Sequence, residues 1–218
     1  MKSKKALHLK AVIFDMDGVI VDSEPIESRA WEKELLEFGA KPIFKSWGLI
    51  NDPGNTFLKE IVERHGLKDQ SSEIIKIKKR KYFEEFVQLG VAPIPGMIAL
   101  MQKLKKAKIK TAIASSRNER QVRVVIQELE FNNEFDIIVG ANEEIKRKPA
   151  PDIFLKTAQQ LNVKPTDCVA IEDTENGIIS AKAAGMYAIA VPNKWTKHQD
   201  FSKADKIVKS LSELTPLF

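Results

Sequence analysis

Short runs of apolar, β-rich residues recur along the chain at 11–14, 111–114, 137–139, 168–171 and 188–191. Each is apolar at consecutive positions, as buried parallel strands are, since both of their faces are covered. Between them lie amphipathic stretches of helical length, at about 96–107, 119–129, 151–161 and 175–184. Boundary signals accompany them: Asn118 as an N-cap, Pro151 near a first turn and Gly185 just past a last turn. Strand alternating with helix predicts an α/β fold, a doubly wound parallel sheet with helices on both faces. One block breaks the rhythm. From 25 to 91 the pattern is helical only, around 26–38, 56–65 and 72–89, interrupted by a loop at 48–54. Pro25 on one side and Pro93-Ile94-Pro95-Gly96 on the other are natural boundaries, because proline continues neither element. The expected organisation is a core of residues 1–24 and 92–218 with a smaller all-α domain, 25–91, inserted after the first strand.

Composition narrows the class. In 218 residues, 43% are hydrophobic and 30% charged, enough to bury a full core and too apolar for a disordered chain. The formal charge of +5 invites a nucleic-acid or membrane reading. Lys2, Lys4, Lys5 and Lys10 nevertheless supply most of that excess within the first ten residues, and the rest is nearly neutral. A Lys-rich start of this kind reads as a solvated terminus, so neither nucleic acid nor membrane is expected as a partner. The apolar run that follows it is too short for a signal-peptide core. The longest apolar run, Met186 to Val191, is six residues, against roughly 20 needed to span a bilayer. The single cysteine, Cys168, sits in an apolar stretch and has no partner for an internal disulfide. A cytoplasmic protein with a structural cysteine is the expectation.

In open parallel sheets the site lies beyond the carboxyl ends of the strands, so the residues after each apolar run carry the candidate chemistry. After the first comes Asp15-Met16-Asp17-Gly18. Carboxylates two apart on extended chain can face one site, where their repulsion raises a pKa or recruits a cation; acidic turn residues are the plainer alternative. After the second comes Ser115-Ser116, just before a helix start, where hydroxyls and N–H groups can bind an anion or simply cap the helix. Farther on, Lys148 is followed by Pro149-Ala150-Pro151-Asp152, so its ammonium can be held in place rather than solvated. After the fourth run comes Glu172-Asp173, a second acidic pair of the hard oxygen ligands that Mg²⁺ prefers. Four carboxylates converging without a cation would be electrostatically expensive, so the joint pattern argues for a bound metal.

The stretches Val12 through Ile20, Ala114-Ser115-Ser116, Lys148 through Phe154 and Ile171 through Ile178, in this order and spacing, resemble the haloacid dehalogenase-like superfamily, in its phosphatase and β-phosphoglucomutase-like branch with a helical cap. The resemblance runs from about Ala11 to the C-terminus and implies a Rossmann-like core. It implies that Asp15 is the nucleophile that becomes an aspartyl-phosphate, and that Asp17 is general acid and then base. Ser115, with the Ser116 N–H, would hold the phosphoryl oxygens, and Lys148 would offset charge between nucleophile and phosphate. The implied Mg²⁺ set is Asp15, Asp17, Glu172 and Asp173, with Asp17 contributing a backbone carbonyl. Asp17 and the Glu172-Asp173 pair speak against the dehalogenase and phosphonate-cleaving branches, which leaves phosphate-ester chemistry.

Substrate choice in this family resides in the cap. Where the mutase carries a phosphate-gripping arginine, this chain reads Gly48-Leu49-Ile50-Asn51-Asp52-Pro53-Gly54-Asn55, with no Arg or Lys; where the mutase has a cap histidine, it has Glu27. In the basic run from Lys76 to Lys81, Lys78 best matches the family's site-facing lysine, with Tyr82 four residues on. The expected function is a Mg²⁺-dependent phosphatase of a small phosphorylated metabolite, a sugar phosphate or similar, working as a monomer. A β-phosphoglucomutase-like phosphosugar mutase is the alternative, and a non-catalytic phospholigand-binding protein the third reading.

Overall fold

The apolar runs become the strands of one parallel sheet. The computed structural model describes residues 9–37, 63, 66 and 70–217. The expected helix at 56–65, but for Glu63, and the loop at 48–55 lie outside them, as do Lys2, Lys4 and Lys5. In chain order the strands are β1 (Ala11–Phe14), β2 (Lys110–Ser115), β3 (Ile137–Gly140), β4 (Cys168–Glu172), β5 (Tyr187–Ala190) and β6 (Lys206–Ile207). They are hydrogen-bonded in the order β3-β2-β1-β4-β5-β6, every pairing parallel. The helices are α1 (Glu24–Glu37), α2 (Gln70–Val87), α3 (Met97–Lys106), α4 (Glu119–Glu128), α5 (Asp152–Leu161) and α6 (Glu175–Ala183). None among the described residues is long and apolar enough to cross a membrane.

The sheet divides two cores, as strict alternation of side chains across a fully buried strand requires. Val12 and Phe14 of β1, Ile113 of β2, and Val169 and Ile171 of β4 face one core with α3, α4, Ala30 of α1 and Phe83 and Val87 of α2. Ala11 and Ile13, Ala112 and Ala114, and Cys168 and Ala170 face the other, with α5 and α6. Cys168 is fully buried, and burial pushes its thiol up to about 11, which suits a packing residue.

Two features depart from the expected pattern. Helix α1 begins at Glu24, so Pro25 lies within its first turn, where the missing N–H has no intrahelical partner to lose. The short sixth strand was not expected: two residues at a sheet edge, neither buried, leave no apolar run to read. Helices α1 and α2 pack along each other, with Arg29 over the Phe86 ring at 4.6 Å and Lys33 over the Tyr82 ring at 3.9 Å. The chain leaves toward this pair and returns from it side by side, Ile94 N donating to Ile20 O at 2.8 Å.

Register sets the site. Phe14 pairs with Ile113 on one side and Ile171 on the other, so the residues that follow β1, β2 and β4 emerge together at the carboxyl edge. At the start of α6, Thr174 caps Gly177 N, and Gly177 leaves room for Glu172: a Cβ there would lie 1.9 Å from Glu172 Cδ. Replacing a helical Gly by Ala ordinarily stabilises by about 1 kcal/mol. Here Gly177→Ala is expected to destabilise by about 1–3 kcal/mol, the cost of overpacking against a pinned side chain. Thermal melts decide it, and a raised melting temperature would show that Glu172 is free to yield.

Candidate active site

Lys148 is the hub at this edge. Its Nζ donates to Asp15 Oδ1 and to Glu172 Oε1, both at 2.6 Å, and to the Ala114 carbonyl at 2.9 Å, so one ammonium ties together the ends of β1, β2 and β4. Burial alone would lower its pKa, but Asp15 and Glu172 outweigh burial and raise it. The Asp15 side chain remains 11% exposed. The other Glu172 oxygen, Oε2, accepts from Asp173 N at 3.2 Å, Thr174 N at 3.4 Å and Thr174 Oγ1 at 3.2 Å.

Asp15, Glu172 and Asp173 are all buried, each offering a carboxylate oxygen within 4.8 Å of the others. Three carboxylates face one ammonium, so two charges are left uncompensated. The strain shows in the titration of Asp15 and Asp173. Burial, with Glu172 and Asp17 adding and Lys148 opposing, pushes Asp15 up to about 8. Burial and then Asp15 and Glu172 raise Asp173. Asp173 Oδ2 accepts from Asn193 Nδ2 at 2.8 Å, while Oδ1 is buried with no hydrogen-bond partner. A buried orphan oxygen beside a charge deficit of two is what a divalent cation would satisfy, and oxygen donors suit Mg²⁺. The residues present fit that ion.

Asp17 stands apart from this group. Its carboxylate takes Arg117 Nε through both oxygens at 2.9 Å and accepts from Ser23 Oγ. Of the four residues expected around the metal, the carboxylates of three converge, and that of Asp17 turns to Arg117 instead; the contribution implied for Asp17 was its backbone carbonyl. Ser115 is fully buried, its Oγ accepting from Arg117 N at 3.1 Å. Ser116 is exposed beside it, and Asn118 caps α4 by accepting from Gln121 N at 2.9 Å. The serine pair thus lies at a helix N-terminus, with a hydroxyl and N–H groups collected beside Asp15.

In the basic run on α2, Lys78 and its neighbour Lys79 have different partners. Lys78 points along the outer side of the helical pair to Glu37, at 3.3 Å, with its side chain 45% exposed. Lys79, 100° further round the helix, is the one turned inward, where it pairs with Glu27. Glu27 also takes Arg117 Nη2 at 3.0 Å, and the Arg117 guanidinium lies 3.7 Å from the Phe83 ring centroid. Asp17, Arg117, Glu27 and Lys79 therefore form a half-buried, charge-balanced chain, with Glu27 itself buried, from the end of β1 to both helices of the pair. Burial would raise Glu27, but Lys79 and Arg117 outweigh it and hold the carboxyl down at about 2.

Arg117 and Asn193 were not expected from the sequence. Both follow strands, two residues after β2 and three after β5, so the strand-end rule that found Asp15 and Glu172 points to them as well. Their partners, far away in sequence, are what hid them.

Comparison with known proteins agrees with this geometry. Residues 12–191 match the family model described as haloacid dehalogenase-like hydrolase. A β-phosphoglucomutase of Bacillus subtilis (strain 168) is 34% identical over 222 residues, covering 95% of this chain and 92% of the relative. A phosphorylated carbohydrates phosphatase of Thermotoga maritima is 30% identical over 186 residues, 83% of this chain and 84% of the relative. Among solved structures, CbbY from Rhodobacter sphaeroides in complex with phosphate superposes with a TM-score of 0.83 at 27% identity, over 94% of this chain and 96% of that one.

The buried Glu27 carboxylate sets a pH dependence. Glu27→Gln leaves Lys79 and Arg117 short of one charge, a loss of about 3 kcal/mol for a buried pair broken on one side. Because the folded carboxyl titrates near 2 rather than 4.5, the stability it contributes is fully present above pH 4.5 and is lost as pH falls toward 2. The melting temperatures of the parent and Glu27→Gln should differ at neutral pH and converge across that window. A gap that persists unchanged to pH 2 would contradict the assignment.

Proposed function

Because the chain belongs to the haloacid dehalogenase-like hydrolases, in the branch that holds phosphatases and β-phosphoglucomutases, we propose that it is a Mg²⁺-dependent phosphatase of a small sugar phosphate, working through an aspartyl-phosphate. The observation that carries this reading is the cluster of Asp15, Glu172 and Asp173 around one lysine at the edge of the sheet. Asp15 is the nucleophile: its carboxylate oxygen forms a bond to phosphorus as the bond to the leaving oxygen breaks, and Asp17 gives that oxygen its proton. In the second half, Asp17 takes a proton from water as the water oxygen attacks the same phosphorus, which releases phosphate and frees Asp15. Lys148 fixes Asp15 through Oδ1 and Glu172 fixes Lys148, so the nucleophile is oriented before the substrate arrives. Ser115 and the Ser116 N–H hold the phosphoryl oxygens, at the helix end where backbone donors already point. Asp15 and Asp173, with the Asp17 carbonyl, hold Mg²⁺, which when bound neutralises charge on the transferring group.

The segment 25–91, to which α1 and α2 belong, serves as a cap that excludes water while the first transfer proceeds. Glu24 Oε2, buried and without a hydrogen-bond partner among the described residues, is an acceptor of the kind that takes a substrate hydroxyl. The identity to a β-phosphoglucomutase favours a second reading, a phosphosugar mutase. Against it stand the stretch 48–55 without Arg or Lys, and Glu27 where the mutase has a histidine. Lys79 and Arg117 are already neutralised by carboxylates, which leaves them poorly placed to grip a second phosphate.

A panel of phosphate monoesters assayed with Mg²⁺ tests the reading. Hydrolysis of hexose and pentose monophosphates is expected, lost on chelation with EDTA, and abolished in Asp15→Asn without loss of the folded circular dichroism spectrum. No turnover of any panel member, p-nitrophenyl phosphate included, would overturn it. Conversion of a β-hexose 1-phosphate to the 6-phosphate, dependent on a bisphosphate primer, would replace it with the mutase.

A further inference from the structure

The loop that follows β5 reaches the acidic cluster through one side chain. Asn193 Nδ2 donates to Asp173 Oδ2 at 2.8 Å. The other end of the amide is fully engaged, Oδ1 accepting from Trp195 N at 2.8 Å and Thr196 N at 3.3 Å. The Asn193 N–H in turn donates to Thr196 Oγ1 at 3.1 Å. These bonds decide which way the amide faces. Turned by half a rotation it would set its NH₂ against two N–H groups and its carbonyl against a carboxylate, so only one orientation is satisfied. The loop itself is anchored: Trp195 Nε1 donates to Asp22 Oδ1 at 3.1 Å, and Lys194 Nζ pairs with Asp22 Oδ2 at 3.1 Å, on the segment that leads into α1. From the other side Gly18, at φ 80°, closes on the same pair. A Cβ there would lie 2.1 Å from Asp173 Oδ2 and 2.7 Å from Asn193 Nδ2.

Asp173 is thus gripped by one oxygen and left open at the other. Oδ1 is the buried, unpartnered atom of the cluster, on a residue only 4% exposed. We propose that Asn193 is a positioning residue for the metal: by occupying Oδ2 it leaves Oδ1 unpartnered and reserves it for the ion. The choice of an amide is part of the device. A lysine at this place would also grip Asp173, but its charge would cancel part of the deficit that draws the cation. Asn193 supplies a donor and no charge. This rests on the Mg²⁺ reading above.

Isothermal titration of the full chain with Mg²⁺, without substrate, tests it, with melting curves of the metal-free proteins to confirm folding. The parent is expected to bind one Mg²⁺, and Asn193→Ala to bind it about 10–100-fold more weakly, as loss of a ligand's outer partner does. Asn193→Asp is the sharper variant. A role in local charge alone predicts tighter binding from the added carboxylate, whereas positioning predicts weaker binding, since a carboxylate has no proton to offer Asp173. Thr196→Val, which loosens the loop but keeps the donor, should bind Mg²⁺ close to the parent value. Parent-like binding by Asn193→Ala, tighter binding by Asn193→Asp, or a loss in Thr196→Val as large as in Asn193→Ala would each overturn the proposal. A parent protein that binds no Mg²⁺ would instead remove the metal reading on which it rests.

Discussion

One ammonium among three buried carboxylates is the constraint that organises this molecule. Lys148 reaches Asp15 and Glu172 at equal distance, and Asp173 completes a group with two negative charges unmatched. In a low-dielectric interior such a deficit is too costly to be left standing, so the group either takes up protons or binds a cation. Asp15 and Asp173 both titrate above the ordinary carboxylate range because burial and their neighbours act together. A phosphate ester is itself anionic and would be repelled by the bare cluster. The same cation that relieves the carboxylates makes the approach of substrate favourable.

The rest of the fold serves to hold those groups against their repulsion. Central parallel strands fix the ends of β1, β2 and β4 in register, and small side chains on one face, Ala11, Ala112, Ala114 and Ala170, let α5 and α6 come close beneath them. Gly177 then admits the Glu172 carboxylate at the first turn of α6. On the open side a second, balanced set of charges, Asp17, Arg117, Glu27 and Lys79, joins the strand end to the helical pair. Two charge groups lie side by side with different duties: one is left in deficit for a ligand, the other holds the Asp17 carboxylate at the strand end.

What could be read in the sequence follows from where each signal is local. Strands buried on both faces declare themselves as apolar runs, and the residues just after them can be inspected directly. That is why Asp15, Glu172 and Asp173 were expected together and are found together, while Lys148, eight residues past β3, was singled out by the prolines that follow it. Arg117 and Asn193 were not expected because their meaning lies in partners far along the chain: Asp17 is 100 residues from Arg117, and Asp173 is 20 from Asn193. The choice between Lys78 and Lys79 is a different case. In a run of basic residues broken only by Ile77, an apolar marker that itself ends up exposed, sequence alone does not fix the rotational phase of a helix. The two-residue β6 strand had no apolar run to announce it.

The central claim is that the phosphoryl group passes onto Asp15. Mixing the protein with Mg²⁺ and a hydrolysable sugar monophosphate, quenching in acid within the first turnovers and mapping phosphorylated peptides by mass spectrometry tests this most directly. A phosphoryl group on the peptide that carries Asp15, formed and lost on the timescale of turnover and absent in Asp15→Asn, is the predicted result. Turnover in the parent with no phosphorylated peptide, or with the phosphoryl group on another residue, would contradict it.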